Sequence, residues 1–325
     1  MATVFKNLLS NDIATTRTLL NEAIPITGTI VSGTYNDENI KNYAHGMFQS
    51  VYDYPYLSSS ANHIFDITYG YTSNYSASAN AQNAKKLNIY NQMAQVLVGY
   101  DVTGSIRKFD RDGDFATTGN NAKLENCVFL NYSRLLTKDE IKKGSYRLTV
   151  LSGSTEITIG DYGAQNDYRV NSPTGEYGIL YTASAATPGT GVGLVYYQAG
   201  VAVLTASAGI FDSYESFTGS LTISGTADNV RSKWVDNDFN NTTELNSTVY
   251  FCRLNNNEFN YSSNPTYLSG SKIVTKQKST DPSVSYVTSI GLYSADNELL
   301  AVAKLSEPLK KDQNNELTLR VRLDY

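Results

Sequence analysis

The residues best suited to chemistry sit together in Asp110-Arg-Asp-Gly-Asp114. Three carboxylates at alternate positions around a glycine can converge on a hard cation, since calcium takes oxygen ligands on a tightly turned chain. Asp110, Asp112 and Asp114 are therefore the candidate metal ligands. The run departs from the twelve-residue calcium loop. Its glycine comes early, and the twelfth position from Asp110 is Asn121 in place of Glu. Asp-Gly also makes ordinary turns, and that reading stands beside the metal one.

Other reactive groups are sparse. The two histidines, His45 and His63, have no motif around them and read as structural or surface residues. There is no G-x-S-x-G elbow, no H-E-x-x-H, no phosphate loop and no G-x-G-x-x-G. Cys127 and Cys252 lack a C-x-x-C partner, which argues against structural zinc. Both lie in apolar, strand-like stretches and read as buried thiols of a protein made in a reducing cytosol, with a bridge between them as the alternative. Asp212 with Glu215, or Asp236 with Asp238, would serve glycoside hydrolysis only if the fold set two carboxylates across a cleft. No catalytic residue and no cofactor is assigned. Tyr52, Tyr54 and Tyr56 flank Pro55 and are the candidate interface residues, either anchoring a partner or folding back onto their own core.

Composition points to contact more than to reactivity. Charged residues are 18% of the chain, below the roughly 25% of an average soluble domain. Tyrosine outnumbers phenylalanine, 25 to 11, and supplies large contact area with a polar tip. The net charge is −5, and the lysine clusters (Lys142–Lys143, Lys272 to Lys278, Lys310–Lys311) form no stripe, so no nucleic-acid partner is expected. No run approaches the ~18 apolar residues of a membrane span, and the N-terminus is too polar for a signal peptide.

These residues must be positioned by a β-rich α+β fold of antiparallel sheets with a few helices. Helices are expected over 11–21, 79–99, after Thr137 and over 235–247. The clearest is 79–99, where Ala84, Leu87, Tyr90, Ala94 and Leu97 recur at helical spacing before Gly99. Thr137 and Glu140 have capping-box spacing. Strands are expected at 26–35, 63–71, 124–132 and 146–151, with a hairpin turning at Gln198 to Gly200. Residues 286–325 read as a meander whose last strand sets Leu317, Leu319, Val321, Leu323 and Tyr325 on one face. Composition divides the chain into 1–144, mixed α/β; 145–229, an all-β module; and 230–325, a β-rich part packing on the first.

The run Tyr286-Val-Thr-Ser-Ile-Gly-Leu-Tyr-Ser-Ala-Asp-Asn-Glu-Leu-Leu-Ala-Val-Ala-Lys-Leu, with the amphipathic end strand, resembles the ending of virion structural proteins of tailed bacteriophages. It is most similar to those of T-even-like myoviruses of cyanobacteria. Tyr43-Ala-His-Gly-Met-Phe-Gln-Ser-Val-Tyr-Asp-Tyr-Pro-Tyr resembles the N-terminal part of such proteins. The resemblance implies a non-enzymatic tail or baseplate component similar to a baseplate wedge subunit. It would be made in the host cytoplasm and built into the virion beside other tail proteins and copies of itself. A tail-associated adhesin for host glycans, or a fibre-attachment protein, is the alternative.

Overall fold

The computed structural model describes residues 5–27, 38–74, 80–116, 123–182, 186–187, 189–206, 222–262, 264–276 and 278–325. Strands hold 49% and helices 13%, so the fold is β-rich α+β. The first strands are β1 (Ile13–Thr27), β2 (Ile40–Asn42), β3 (Gln49–Tyr52), β4 (His63–Tyr71), β5 (Phe109–Asp110), β6 (Lys123–Leu124) and β7 (Asn126–Tyr132). Then come β8 (Glu140–Ile141), β9 (Arg147–Ser152), β10 (Thr155–Gly160), β11 (Arg169–Ser172), β12 (Gly175–Leu180), β13 (Gly193–Tyr196) and β14 (Val201–Thr205). The last are β15 (Trp234–Leu254), β16 (Leu268–Ser269), β17 (Lys272–Ile273), β18 (Val284–Tyr293), β19 (Leu299–Asp312) and β20 (Leu317–Asp324). The α-helices among the described residues are α1 (Ala81–Leu97), α2 (Arg134–Thr137) and α3 (Ile223–Ser232).

The chain forms two compact units, a larger one of Leu19–Thr243 and a smaller one of Met1–Thr18 with Glu244–Tyr325. The division therefore falls elsewhere than at 144 and 229. Residues 145–229 make no module of their own. β9 and β10 pair with each other and β9 with β15, whereas β11 to β14 continue into β7 and β4. β13 and β14 are buried along their whole length. Strands covered on both faces need cover from distant segments.

The larger unit is built on an eight-stranded antiparallel sheet in the order β11-β12-β13-β14-β7-β4-β3-β2. One face carries Phe65, Val128 and Leu130, which pack with Leu148, Val150 and Trp234 of β9 and β15. Phe65 stacks on Trp234 with ring centroids 4.8 Å apart. The opposite face carries Phe129, Tyr196 and Val203 under Tyr90, Ala94 and Leu97 of α1. Helix α1 starts where the Asn80 side chain accepts a hydrogen bond from the Asn83 N–H at 2.9 Å. It stops where Gly99, at φ +83°, donates its N–H back to Ala94. Asn80→Ala is expected to cost about 1 kcal/mol, read as a lower urea midpoint with an unchanged slope.

Three helix expectations are corrected. A 3-10 turn at Ser10–Asp12 leads into β1 in place of the helix over 11–21. Thr15, Thr16 and Thr18 are β-branched, and pairing beside β15 outweighs the Leu19–Leu20 spacing. Residues 235–247 lie within β15, since their Asn, Asp and Thr are poor helix formers. The helix sits just before, in α3, where Thr222 accepts from the Gly225 N–H at 3.0 Å; it begins inside the stretch 145–229 that was expected to be all-β. Thr137 ends α2 instead of opening a helix, and Glu140 lies in β8. Of the strand expected over 26–35, only Ile26 and Thr27 are described, as the end of β1.

In the smaller unit β20 pairs antiparallel with β15, from Ser247 opposite Asp324 to Leu254 opposite Leu317. β18 and β19 form a long hairpin by themselves. The expected meander is thus a hairpin plus a final strand that pairs elsewhere.

Candidate functional site

Asp110 ends the short strand β5, whose partner β6 supplies Lys123 opposite it. The chain then turns through Gly113 (φ +71°) and Phe115 (φ +56°). This turn brings one carboxylate oxygen each of Asp110, Asp112 and Asp114 within 4.8 Å of one another. Asp110 is fully buried, Asp112 half-buried and Asp114 exposed. Asp110 Oδ2 accepts from the Phe115 N–H at 2.7 Å and pairs with the Lys123 ammonium at 3.0 Å. Asp110 Oδ1 is buried and has no hydrogen-bond partner.

The loop is held from outside by the β11–β12 hairpin. Arg169 Nε donates to the Asp112 carbonyl at 3.4 Å, and Asn171 Nδ2 to the Gly113 carbonyl at 2.9 Å. The buried Tyr177 hydroxyl also reaches the Gly113 carbonyl. Burial raises the Asp112 carboxyl above the usual aspartate range, and the charges of Asp110 and Asp114 push the same way. The Ala116 N–H holds that of Asp114 below it. Asn121 lies outside the described residues.

The smaller unit carries a cleft of about 750 Å³ between the β18–β19 hairpin and the β15–β20 pair. Phe5, Tyr250, Phe259, Tyr261, Tyr286 and Tyr293 give it an aromatic lining, with Phe5 edge-on to Tyr293 at 5.0 Å. Asp12, paired with Arg253 at 2.7 Å, adds charge to the wall. The hairpin also leaves large apolar groups in solvent: Leu300, at the cleft wall, is 68% exposed, and Val302, away from the cleft, is 56% exposed. Two strands alone seldom hold such a surface in water without a covering partner.

The remaining sequence candidates fall apart or find structural roles. Tyr52 and Tyr56 approach to 6.3 Å between ring centroids, while Tyr54 is 56% exposed. Tyr52 packs edge-on to His63, whose Nε2 meets Asp66 at 2.8 Å. His45 accepts from the Met47 N–H and stacks on Tyr43. Cys127 and Cys252 are both free thiols, and burial raises the pKa of each. Asp236 and Asp238 are neighbours on one strand, and Asp238 lines a second cleft with Lys142, Lys143 and Arg147. Asp212 and Glu215 lie outside the described residues.

One cluster had no signal in the sequence. Asp161, fully buried, accepts from the Gly144 N–H at 2.7 Å, the Tyr197 hydroxyl at 3.0 Å and Arg147 at 2.9 Å. Beside it the Tyr132 and Tyr146 hydroxyls share a hydrogen bond of 2.7 Å. Tyr146 and Arg147 are adjacent and Asp161 follows the strand paired with theirs, but Tyr132 and Tyr197 come from elsewhere in the chain, and no motif links the five.

Comparison with protein-family models, with curated proteins and with solved structures finds no match to the chain. No helix among the described residues is long and apolar enough to cross a membrane.

Proposed function

We propose that this chain is a structural subunit that works by being built into a larger assembly, and that the assembly is the virion of a tailed bacteriophage. The observation that carries the first half is the β18–β19 hairpin. It extends as a two-stranded sheet of its own, with Tyr286, Leu299, Leu300 and Val302 in solvent. Open strand edges and uncovered apolar side chains are what a neighbouring subunit covers. The second half rests on the resemblance of residues 43–56 and 286–305, which contribute β3 and the hairpin. Its place would be the tail or baseplate, where it holds neighbours in register by contact alone.

Electron microscopy of intact particles tests this reading directly, by locating the chain and counting its copies. Within such particles, the double substitution Leu300→Glu, Val302→Glu is expected to abolish incorporation while the purified subunit melts as wild type. The rationale is that both side chains are exposed in the free chain, where surface changes shift stability by about 0.5 kcal/mol or less. Incorporation at wild-type copy number would remove the hairpin from the interface.

The aromatic cleft favours a second reading, a glycan-binding adhesin. Exposed tyrosine rings can stack on sugar faces while hydroxyl and amide groups meet the sugar hydroxyls. Saturable binding on a glycan array, lost in Tyr286→Ala, would favour it over the scaffold.

A further inference from the structure

We infer that Asp110, Asp112 and Asp114 bind a calcium ion in the larger unit. Two observations carry this. Three carboxylates on alternate residues converge to within 4.8 Å. Independently, the Asp110 side chain has no exposed surface, and its Oδ1 is left without any donor. Lys123 and the Phe115 N–H satisfy Oδ2 alone, and a second carboxylate oxygen taken out of water needs a donor or a cation of its own, because burying an unsatisfied polar atom is unfavourable.

Charge sets the valence. Among the described residues the ion pair made by the three carboxylates is that with Lys123. Three negative groups and one ammonium leave an excess of two, which a divalent ion balances. All the donors are oxygen, which selects a hard cation. Calcium accepts an irregular set of carboxylates, carbonyls and waters, whereas magnesium demands a near-octahedral shell and gives up its waters reluctantly.

Lys123 marks the position that attracts cations. Its ammonium bridges Asp110 Oδ2 at 3.0 Å and the Ala116 carbonyl at 3.1 Å. The Asp112 and Gly113 carbonyls are already held by Arg169 and Asn171, so the loop is fixed before any ion arrives. An ion here would tie the loop to the β11–β12 edge of the sheet. The site is separate from the hairpin, so its failure would leave the assembly reading untouched.

Calorimetric titration of the full chain with calcium chloride, and separately with magnesium chloride, tests the inference. Binding of one calcium per chain is expected, with a dissociation constant on the order of 10⁻⁴–10⁻³ M and weaker magnesium binding. The melting temperature should rise in calcium relative to a chelator. Asp112→Asn and Asp114→Asn should melt as wild type in chelator, because neither side chain is fully buried, yet bind calcium about tenfold more weakly or worse. Lys123→Gln, which removes the competing ammonium, should bind more tightly. No saturable heat and no melting shift at about 10 mM calcium would overturn the site. Undiminished binding in both Asn variants would place the ion elsewhere and overturn it equally.

Discussion

Replacing Asp161 with alanine is expected to lower the unfolding free energy by about 3–5 kcal/mol, the usual cost of removing one partner from a buried ion pair. The Asp161 side chain has no exposed surface and takes hydrogen bonds from the Gly144 N–H, the Tyr197 hydroxyl and Arg147. Without it these donors lose their acceptor inside the core. Arg147 is 33% exposed and recovers some water, which favours the lower end of the range. Asp161→Asn keeps an acceptor of the same shape and should cost less.

The same group makes stability depend on pH. Burial pushes the Asp161 carboxyl up to about 6, while the Gly144 N–H, Tyr197 and Arg147 pull it down by less. An unfolded aspartate titrates near ~3.9. Between these values the folded protein keeps the proton and the unfolded chain does not. The contribution of this group to stability is therefore largest in acid. It falls as pH rises from about 4 through about 6, by at most about 3 kcal/mol. Urea midpoints at about pH 4.5 and 7.5, for wild type and Asp161→Asn, check the sign. Wild type should lose ground to the variant as pH rises, and a pH-independent difference would refute the assignment.

How far these features were legible depends on their range along the chain. Helix α1 was readable because its apolar spacing and its Gly99 stop are both local. The β13–β14 hairpin was readable for the same reason, its turn lying at 197–200 between two apolar runs. The segment 11–21 was misread because Leu19 and Leu20 mimic helical spacing, while β15, the strand that claims it, is more than two hundred residues away. The acidic loop was visible as a motif, since Asp110, Asp112 and Asp114 are near neighbours. What the sequence could not show was the burial of Asp110, which depends on the surrounding fold. Asp161 was invisible because its partner Tyr197 comes from the turn between β13 and β14, and because its burial, like that of Asp110, depends on the surrounding fold. The exposed hairpin was legible as strands, but whether a strand has a cover is a property of the fold.

Gly70→Ala is expected to be among the most damaging small substitutions in the protein. Gly70 lies in β4, paired with Cys127 of β7, on the face that α1 covers. A Cβ added there would sit 2.7 Å from the Lys86 carbonyl oxygen and 2.7 Å from the Tyr90 nitrogen. Those two atoms are four residues apart on α1, so a methyl group would press on a hydrogen-bonded turn of the helix backbone. Backbone held by a turn of helix yields less readily than a side chain can rotate away. The helix would have to lift off the sheet, loosening Tyr90 from Phe109 and Phe129, with which it now packs edge-on. Overpacking typically costs about 1–3 kcal/mol, and a clash with helix backbone on two sides belongs at the upper end of that range. Gly46→Ala is the control: its φ is +60° and a Cβ there would meet nothing within 4 Å. Only backbone strain acts at Gly46, worth about 1 kcal/mol. Urea unfolding of both variants should separate them clearly, with Gly70→Ala also losing protection from hydrogen exchange along α1. Equal losses at the two positions would mean that the helix does not rest on the backbone of β4.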